Sequence, residues 1–196
     1  MKTFLSVLAQ HQAVLAQLAN SSHEIEEAGM LLINTLKQGG KILLCGNGGS
    51  AADCQHIAAE FVVRYEKKRQ ALAAIALTTD TSILTASAND FNFDSIFSRQ
   101  VEALGNANDC LIAISTSGRS ANVIAAAKAA KSKGMIVIGM TGNEDSELSQ
   151  LASMTIKVPS NITARIQEAH IVIGHWWCGV VEDIFSQEAL DARKDA

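Results

Sequence analysis

The chain has 196 residues, 48% of them hydrophobic and 18% charged, with a single proline and a formal net charge of −4. That is enough chain to bury a sizeable core, and a charged fraction below the usual quarter suggests that subunit contacts hide part of the surface. Twenty acidic against sixteen basic side chains, with no basic run longer than Lys67-Lys68-Arg69, argue against a nucleic-acid partner, so an anionic small ligand must be caught locally.

Residues 1–40 read as a helical arm. Apolar residues recur at Phe4, Leu8, Leu15 and Leu18, then at Ile25, Ala28, Leu32 and Leu36. Ser21-Ser22-His23-Glu24 fits a capping box between two helices, and Gly39-Gly40 marks a stop. The stretch at 4–9 is too short for a signal-peptide core, and no run approaches the roughly 20 residues of a membrane span. A cytoplasmic protein with no membrane partner is expected. Cys45, Cys54, Cys110 and Cys178 show no C-x-x-C spacing, and neither a disulfide nor a cysteine-bound metal is expected.

From residue 41 the pattern changes. Short apolar runs at 42–45, 73–77, 110–114, 135–140 and 154–158 suit buried parallel strands, and helical patterns such as 51–65 and 121–133 separate most of them. The alternation predicts an α/β fold, a doubly wound parallel five-stranded sheet flanked by helices, with one domain over 1–196 and its core in 41–196. The last helix, about 162–185, is apolar on nearly every face, including Ile171-Val172-Ile173 and Trp176-Trp177. Such a helix must be covered on several sides. Together with the low charge this predicts a homotetramer buried around its N-terminal and C-terminal helices, although a deeply buried core helix would leave the same pattern.

Sheets of this class bind ligands beyond the carboxyl ends of their strands. Two loops there carry chemistry. In Cys45-Gly46-Asn47-Gly48-Gly49-Ser50, glycines let backbone approach a ligand, and Ser50 stands where the next helix begins and favours an anion. The segment also satisfies the G-x-G-x-x-A dinucleotide pattern. No acidic residue follows at the spacing a ribose needs, since Asp80 lies too far on, and a nucleotide-dependent oxidoreductase is disfavoured. The second loop, Ser115-Thr116-Ser117-Gly118-Arg119-Ser120, places four hydroxyls within six residues at another helix start. One such loop is most simply a capped turn; two in succession suit the several donors that a phosphate monoester requires.

These two loops, with Arg165-Ile166-Gln167-Glu168, resemble the sugar isomerase (SIS) fold and, within it, the bacterial phosphoheptose isomerases. The resemblance runs over essentially the whole chain. It implies conversion of sedoheptulose 7-phosphate to D-glycero-D-manno-heptose 7-phosphate, the first step toward ADP-heptose and lipopolysaccharide core precursors. The loops are shared by several sugar-phosphate binders, so the activity depends on other residues.

His56 and Glu60 are spaced i, i+4 and share one helix face, an arrangement that is often only a surface contact. Gln167 and His175 are eight residues apart, roughly 80° around the last helix, with His170 on the same flank. Spacing alone does not choose between His170 and His175; the resemblance assigns the active histidine to His175. It likewise implies one Zn²⁺ per subunit on His56, Glu60, Gln167 and His175, donors that suit zinc although a glutamine oxygen is uncommon. It implies substrate contacts at Asn47, Gly48, Gly49, Ser50, Glu60, Asn89, Asp90, Ser115, Thr116, Ser117, Ser120 and Gln167. By themselves Asn89 and Asp90 read as a plain turn. Some relatives carry an aspartate before R-I-Q-E, where this chain has Ala164.

In the implied reaction Glu60 is the base that moves a proton from C1 to C2 and His175 the acid that serves the oxygens. A carboxylate bound to Zn²⁺ is a poorer base, so either Glu60 leaves the metal during turnover or the zinc is mainly structural. The rival function is a non-catalytic SIS-fold protein that associates with the replication initiator. Such a protein shares both loops and R-I-Q-E but lacks the Glu60 and His175 pair.

Overall fold

The apolar runs form strands β1 (Ile42–Gly46), β2 (Ala74–Ala76), β3 (Cys110–Ile114), β4 (Ile136–Thr141) and β5 (Met154–Lys157). Every neighbouring pair is parallel, in the order β2-β1-β3-β4-β5. The structure, a computed structural model, describes residues 1–194 and side-chain surroundings up to Gln187; residues 195–196 of the expected domain lie outside the described residues. All residues of β1 and β3 are buried, which is why they read as unbroken apolar runs instead of alternating ones.

The pleat divides these side chains between two layers. Ile42, Leu44, Ile112, Ile114 and Ile138 face a core shared with α1 (Phe4–Leu18), α2 (Ser22–Lys37), α3 (Gly49–Val62) and α8 (Thr163–Lys194). Leu43, Cys45, Leu111, Ala113 and Val137 face the other core, closed by α4 (Thr81–Asp90), α5 (Ser98–Leu104), α6 (Ala121–Ser132) and α7 (Glu147–Leu151). The result is the expected doubly wound five-stranded sheet. The strand order reverses between β1 and β3, the crevice where open α/β sheets take their ligands.

Three details depart from the sequence reading. The capping box at Ser21 does not form: a 3₁₀ turn over Ala19–Ser21 carries α1 almost continuously into α2, and Ser21 makes no side-chain cap. With the backbone near-helical through the junction, there is no extended residue from which a hydroxyl can reach the third amide. Asn89 and Asp90 are not a plain turn but the last turn of α4, which Asp80 starts by accepting the Ile83 N–H. The final helix runs to Lys194, beyond its expected end near residue 185. Trp177 is fully buried and donates its indole N–H to the Ile25 carbonyl at 2.9 Å. Trp176 and Val172 remain 41% and 43% exposed, over a groove of about 290 Å³ lined by Leu15, Leu18, Ile25 and Ile173.

No helix among the described residues is long and apolar enough to cross a membrane. The four cysteines are free and buried, and burial pushes the Cys45 and Cys178 thiols up to about 12, so both pack as neutral apolar groups.

Candidate active site

The glycine loop leaves β1 and the hydroxyl loop leaves β3, so both reach the β1/β3 switch point. There they line a cavity of about 250 Å³ with Asn47, Gly48, Gly49, Ser50, Ser115, Thr116 and Ser120. Gly48 caps α3 at φ +56°, a conformation that a side chain would strain. The Ser115 hydroxyl lies 3.0 Å from that of Ser120, and Gln167 closes the cavity from α8. A Cβ on Gly49 would fall 2.5 Å from the Gln167 Nε2, so the bare glycine lets that amide lie against the loop.

Not every expected contact residue faces this cavity. The Ser117 hydroxyl accepts the Arg119 N–H within its own turn and lines a neighbouring polar cavity with Asn143 and Ser160. Asn89 and Asp90 bond to each other on exposed α4 and are not in the lining. Thr163, the first residue of α8, is in the lining and carries no motif signal of its own.

Asn122 was also invisible to motif reasoning. It is 2% exposed, and its amide forms a reciprocal pair with that of Asn47, both bonds at 2.8 Å, while its oxygen also accepts the Val123 N–H. This pair ties the glycine loop to the start of α6. Asn122→Ala is expected to leave the Asn47 amide unpaired and weaken phosphosugar binding by about 1–2 kcal/mol, roughly 5- to 30-fold. Titration calorimetry with a sugar phosphate reads this directly, and unchanged affinity would refute a positioning role. Ser120→Ala is expected to cost a similar amount, about 1–2 kcal/mol, because the remaining donors persist; a variant that binds inorganic phosphate and phosphosugars as tightly as the parent would remove this loop from the site.

His56, Glu60 and His175 meet farther along the same two helices. His56 and Glu60 stand roughly 9 and 15 Å along the helix axis from Ser50. A Cβ on Gly174 would lie 2.6 Å from the Ile57 Cδ1, so the glycine allows α8 to settle closely on α3. The His56 Nε2 then lies 3.4 Å from the Glu60 Oε1 and 3.4 Å from the His175 Nε2. His170 is elsewhere: it is fully buried beneath Thr141, and burial pushes its imidazole down to about 4. It stays neutral and away from the other histidines, a choice that spacing alone left open.

Two donors on one tetrahedral Zn²⁺, with bonds near 2.1 Å, are about 3.4 Å apart. Both edges at His56 match that separation. They share only His56, however, and no group of three or more His, Cys, Asp and Glu side chains among the described residues forms a ready metal cage. The donor chemistry fits zinc, but Gln167 lies against Gly49 in the loop cavity, about two turns before His175, and is not among the contacts of this cluster, so closing the set calls for movement of Gln167, Glu60 or His175. One turn before His56, the Asp53 Oδ2 is buried without a partner, and burial raises its carboxyl pKa against the opposing pull of His56.

Arg165 and Glu168 perform a structural task. They pair with each other, Glu168 also bonds His11 at 2.7 Å, and Arg165 donates to the Val7 carbonyl, so this part of R-I-Q-E holds α1 on α8. The Arg165 guanidinium and His11 keep the Glu168 carboxyl below its ordinary range despite partial burial.

Residues 8–142 match the family model of the SIS domain. The chain is 53% identical over 176 residues to the phosphoheptose isomerase of Campylobacter jejuni, covering 90% of this chain and 95% of that protein. It is 49% identical over 185 residues to the phosphoheptose isomerase of Burkholderia pseudomallei, covering 92% and 94%. The solved structure of the Neisseria gonorrhoeae phosphoheptose isomerase superposes with a TM-score of 0.87 at 44% identity, over 91% of this chain and 96% of that one. The SIS match ends before α8 and contains both loops, His56 and Glu60, whereas Gln167 and His175 lie beyond it. Likeness over nine-tenths of the chain, α8 included in the shared fold, therefore narrows the assignment, and the chain belongs to the phosphoheptose isomerase family of SIS-domain proteins.

Proposed function

We propose that the protein is an aldose-ketose isomerase that converts sedoheptulose 7-phosphate to D-glycero-D-manno-heptose 7-phosphate. The observation that carries this reading is the meeting of two anion-suited loops at one switch point, with His56, Glu60 and His175 together on the helices that leave and face those loops. The phosphate sits among Ser115, Thr116, Ser120 and the glycine loop, and the sugar extends along α3 and α8. Ser117, Asn89 and Asp90 remain expected substrate contacts by family resemblance, although in a single chain they lie outside the cavity.

Glu60 removes the proton from C1 of the ketose while the C2 oxygen gains one, giving a cis-enediol. The carbon-bound proton then returns at C2 and the C1 hydroxyl gives up its own, leaving the aldehyde. His175 serves the oxygens. His56, Glu60, Gln167 and His175 would hold one Zn²⁺ per subunit, which when bound supplies Lewis acidity toward the oxygens of C1 and C2. Ala164, next in the chain to the cavity-lining Thr163, brings no carboxylate, so any sugar contact that an acid at this position would make is missing.

The reaction is the first step toward ADP-heptose and the lipopolysaccharide core, which places the enzyme in the cytoplasm. The whole chain acts as one SIS unit, and four copies assemble through the open faces of α1, α2 and α8. The alternative, a non-catalytic partner of the replication initiator, is disfavoured because Glu60 and His175 are in place and the similar proteins are isomerases. Incubating metal-replete protein with sedoheptulose 7-phosphate and following the aldose by NMR tests the reading; absence of conversion, with initiator binding instead, would overturn it.

A further inference from the structure

After α3 the chain folds back against α8 and is gripped there by one buried carboxylate. Glu182 is 1% exposed and accepts three consecutive backbone N–H groups, from Tyr65 at 2.8 Å and from Glu66 and Lys67 at 2.6 Å. Burial pushes this carboxyl up, but the three amides and Arg69 outweigh it and hold it below the ordinary carboxylate range, so it stays ionised. The Arg69 Nε lies 3.4 Å from Glu182, with both side chains essentially out of solvent. The same guanidinium donates to the Glu60 carbonyl at 2.7 Å and to the Phe61 carbonyl at 2.8 Å, satisfying the last turn of α3.

The grip has consequences at both candidate acid/base residues. Glu182 stands seven residues after His175, two turns along the same helix face. Holding the Tyr65 amide there lays the tyrosine ring across Gly179 and stacks it on the His175 imidazole, with centroids 5.7 Å apart and planes at 26°. At the other end, Arg69 pins the backbone of Glu60. A buried ion pair is a poor source of stability compared with apolar packing of the same volume, and its return here is geometric.

We propose that Glu182 is a positioning residue of the isomerase site, which through Tyr65 orients the His175 ring and through Arg69 fixes the backbone of Glu60. The inference rests on reading Glu60 and His175 as base and acid. Neither Glu182 nor Tyr65 lines the phosphate cavity, so their loss acts on turnover and spares substrate capture.

The test compares the full-length parent with Tyr65→Leu, Tyr65→Phe, Glu182→Gln and the Tyr65→Leu/Glu182→Gln double variant. Steady-state kinetics with sedoheptulose 7-phosphate and the ¹³C-labelled histidine NMR spectrum are recorded for each. Tyr65→Leu is expected to lower kcat on the order of ten-fold with KM nearly unchanged, as small misplacements of a reacting group do. Tyr65→Phe keeps the stacking face and restores most of that loss. Because Tyr65 orients His175 only as Glu182 holds it, the double variant falls little below Glu182→Gln alone. The His175 ring signal, shifted by the tyrosine in the parent, moves in both Tyr65→Leu and Glu182→Gln.

An unchanged kcat in Tyr65→Leu, a loss confined to KM, or a Tyr65→Phe variant as poor as Tyr65→Leu would each overturn the proposal. If Glu182→Gln does not fold, Tyr65→Leu alone decides, since the tyrosine is partly exposed and its removal leaves the buried pair intact. Should the parent fail to isomerise the sugar, the functional reading falls, and the His175 signal still reports whether Glu182 and Tyr65 set that ring.

Discussion

Replacing Glu60 by glutamine is expected to lower turnover by about a hundred-fold or more, the scale on which positioned acids and bases act. The fold should survive. Glutamine keeps the size of the side chain and an oxygen for the contact with His56, and the bond from Arg69 goes to the residue 60 carbonyl, which the substitution leaves in place. His175→Asn is expected to show a loss of similar scale, at or above about a hundred-fold. Zinc content must be measured beside the rate, because both residues are expected metal ligands. Solvent exchange then separates the roles: Glu60→Gln should abolish exchange of the ketose C1 proton with deuterated water, whereas His175→Asn should retain part of it. Undiminished exchange in zinc-loaded Glu60→Gln would remove Glu60 as the base and turn attention to His56. His170 is no longer a candidate, being sealed beneath Thr141.

The adjacent tryptophans of α8 should respond in opposite ways. Trp177→Ala removes a fully buried ring and leaves the Ile25 carbonyl without its indole partner, so it is expected to cost about 3–5 kcal/mol. For a chain of this size that lowers Tm by about 6–20 °C. Trp176→Asp instead puts a charge on the 41% exposed rim of the α1–α2–α8 groove. The folded protomer is expected to persist while the proposed homotetramer dissociates, because burying an unpaired charge in an interface commonly costs several kcal/mol. Thermal melts and sedimentation velocity check both outcomes. An assembled Trp176→Asp variant, or a monomeric parent at micromolar concentration, would refute the role assigned to this face.

The Trp pair shows what kind of information the chain carries locally. An all-round apolar helix signals that burial is needed, but one-dimensional periodicity cannot say which side the same chain covers. The fold then places Trp177 against Ile25, 152 residues away in sequence, and leaves Trp176 over a groove. Histidines behave alike. His170 and His175 were equivalent by spacing, and the difference lies in Thr141 above the first and His56 with Tyr65 beside the second.

By itself the sequence determined the elements whose physics is local. Strands buried on both faces must be short continuous apolar runs, as 42–45 and 110–114 are, and loops suited to an anion are rich in glycine and hydroxyls, as 46–50 and 115–120 are. That was enough for the fold class, for both loops and for the i, i+4 pair of His56 and Glu60. Only the tertiary structure decided which groups meet across it. The Asn47–Asn122 amide pair spans 75 residues, the Glu182 grip on Tyr65 spans 117, and the approach of His56 to His175 spans 119. No periodicity or spacing encodes such contacts, because they exist only once the sheet has ordered β1 beside β3 and laid α8 across α3; the placement of a side chain in the site is a property of that packing, whereas its chemistry is a property of the residue.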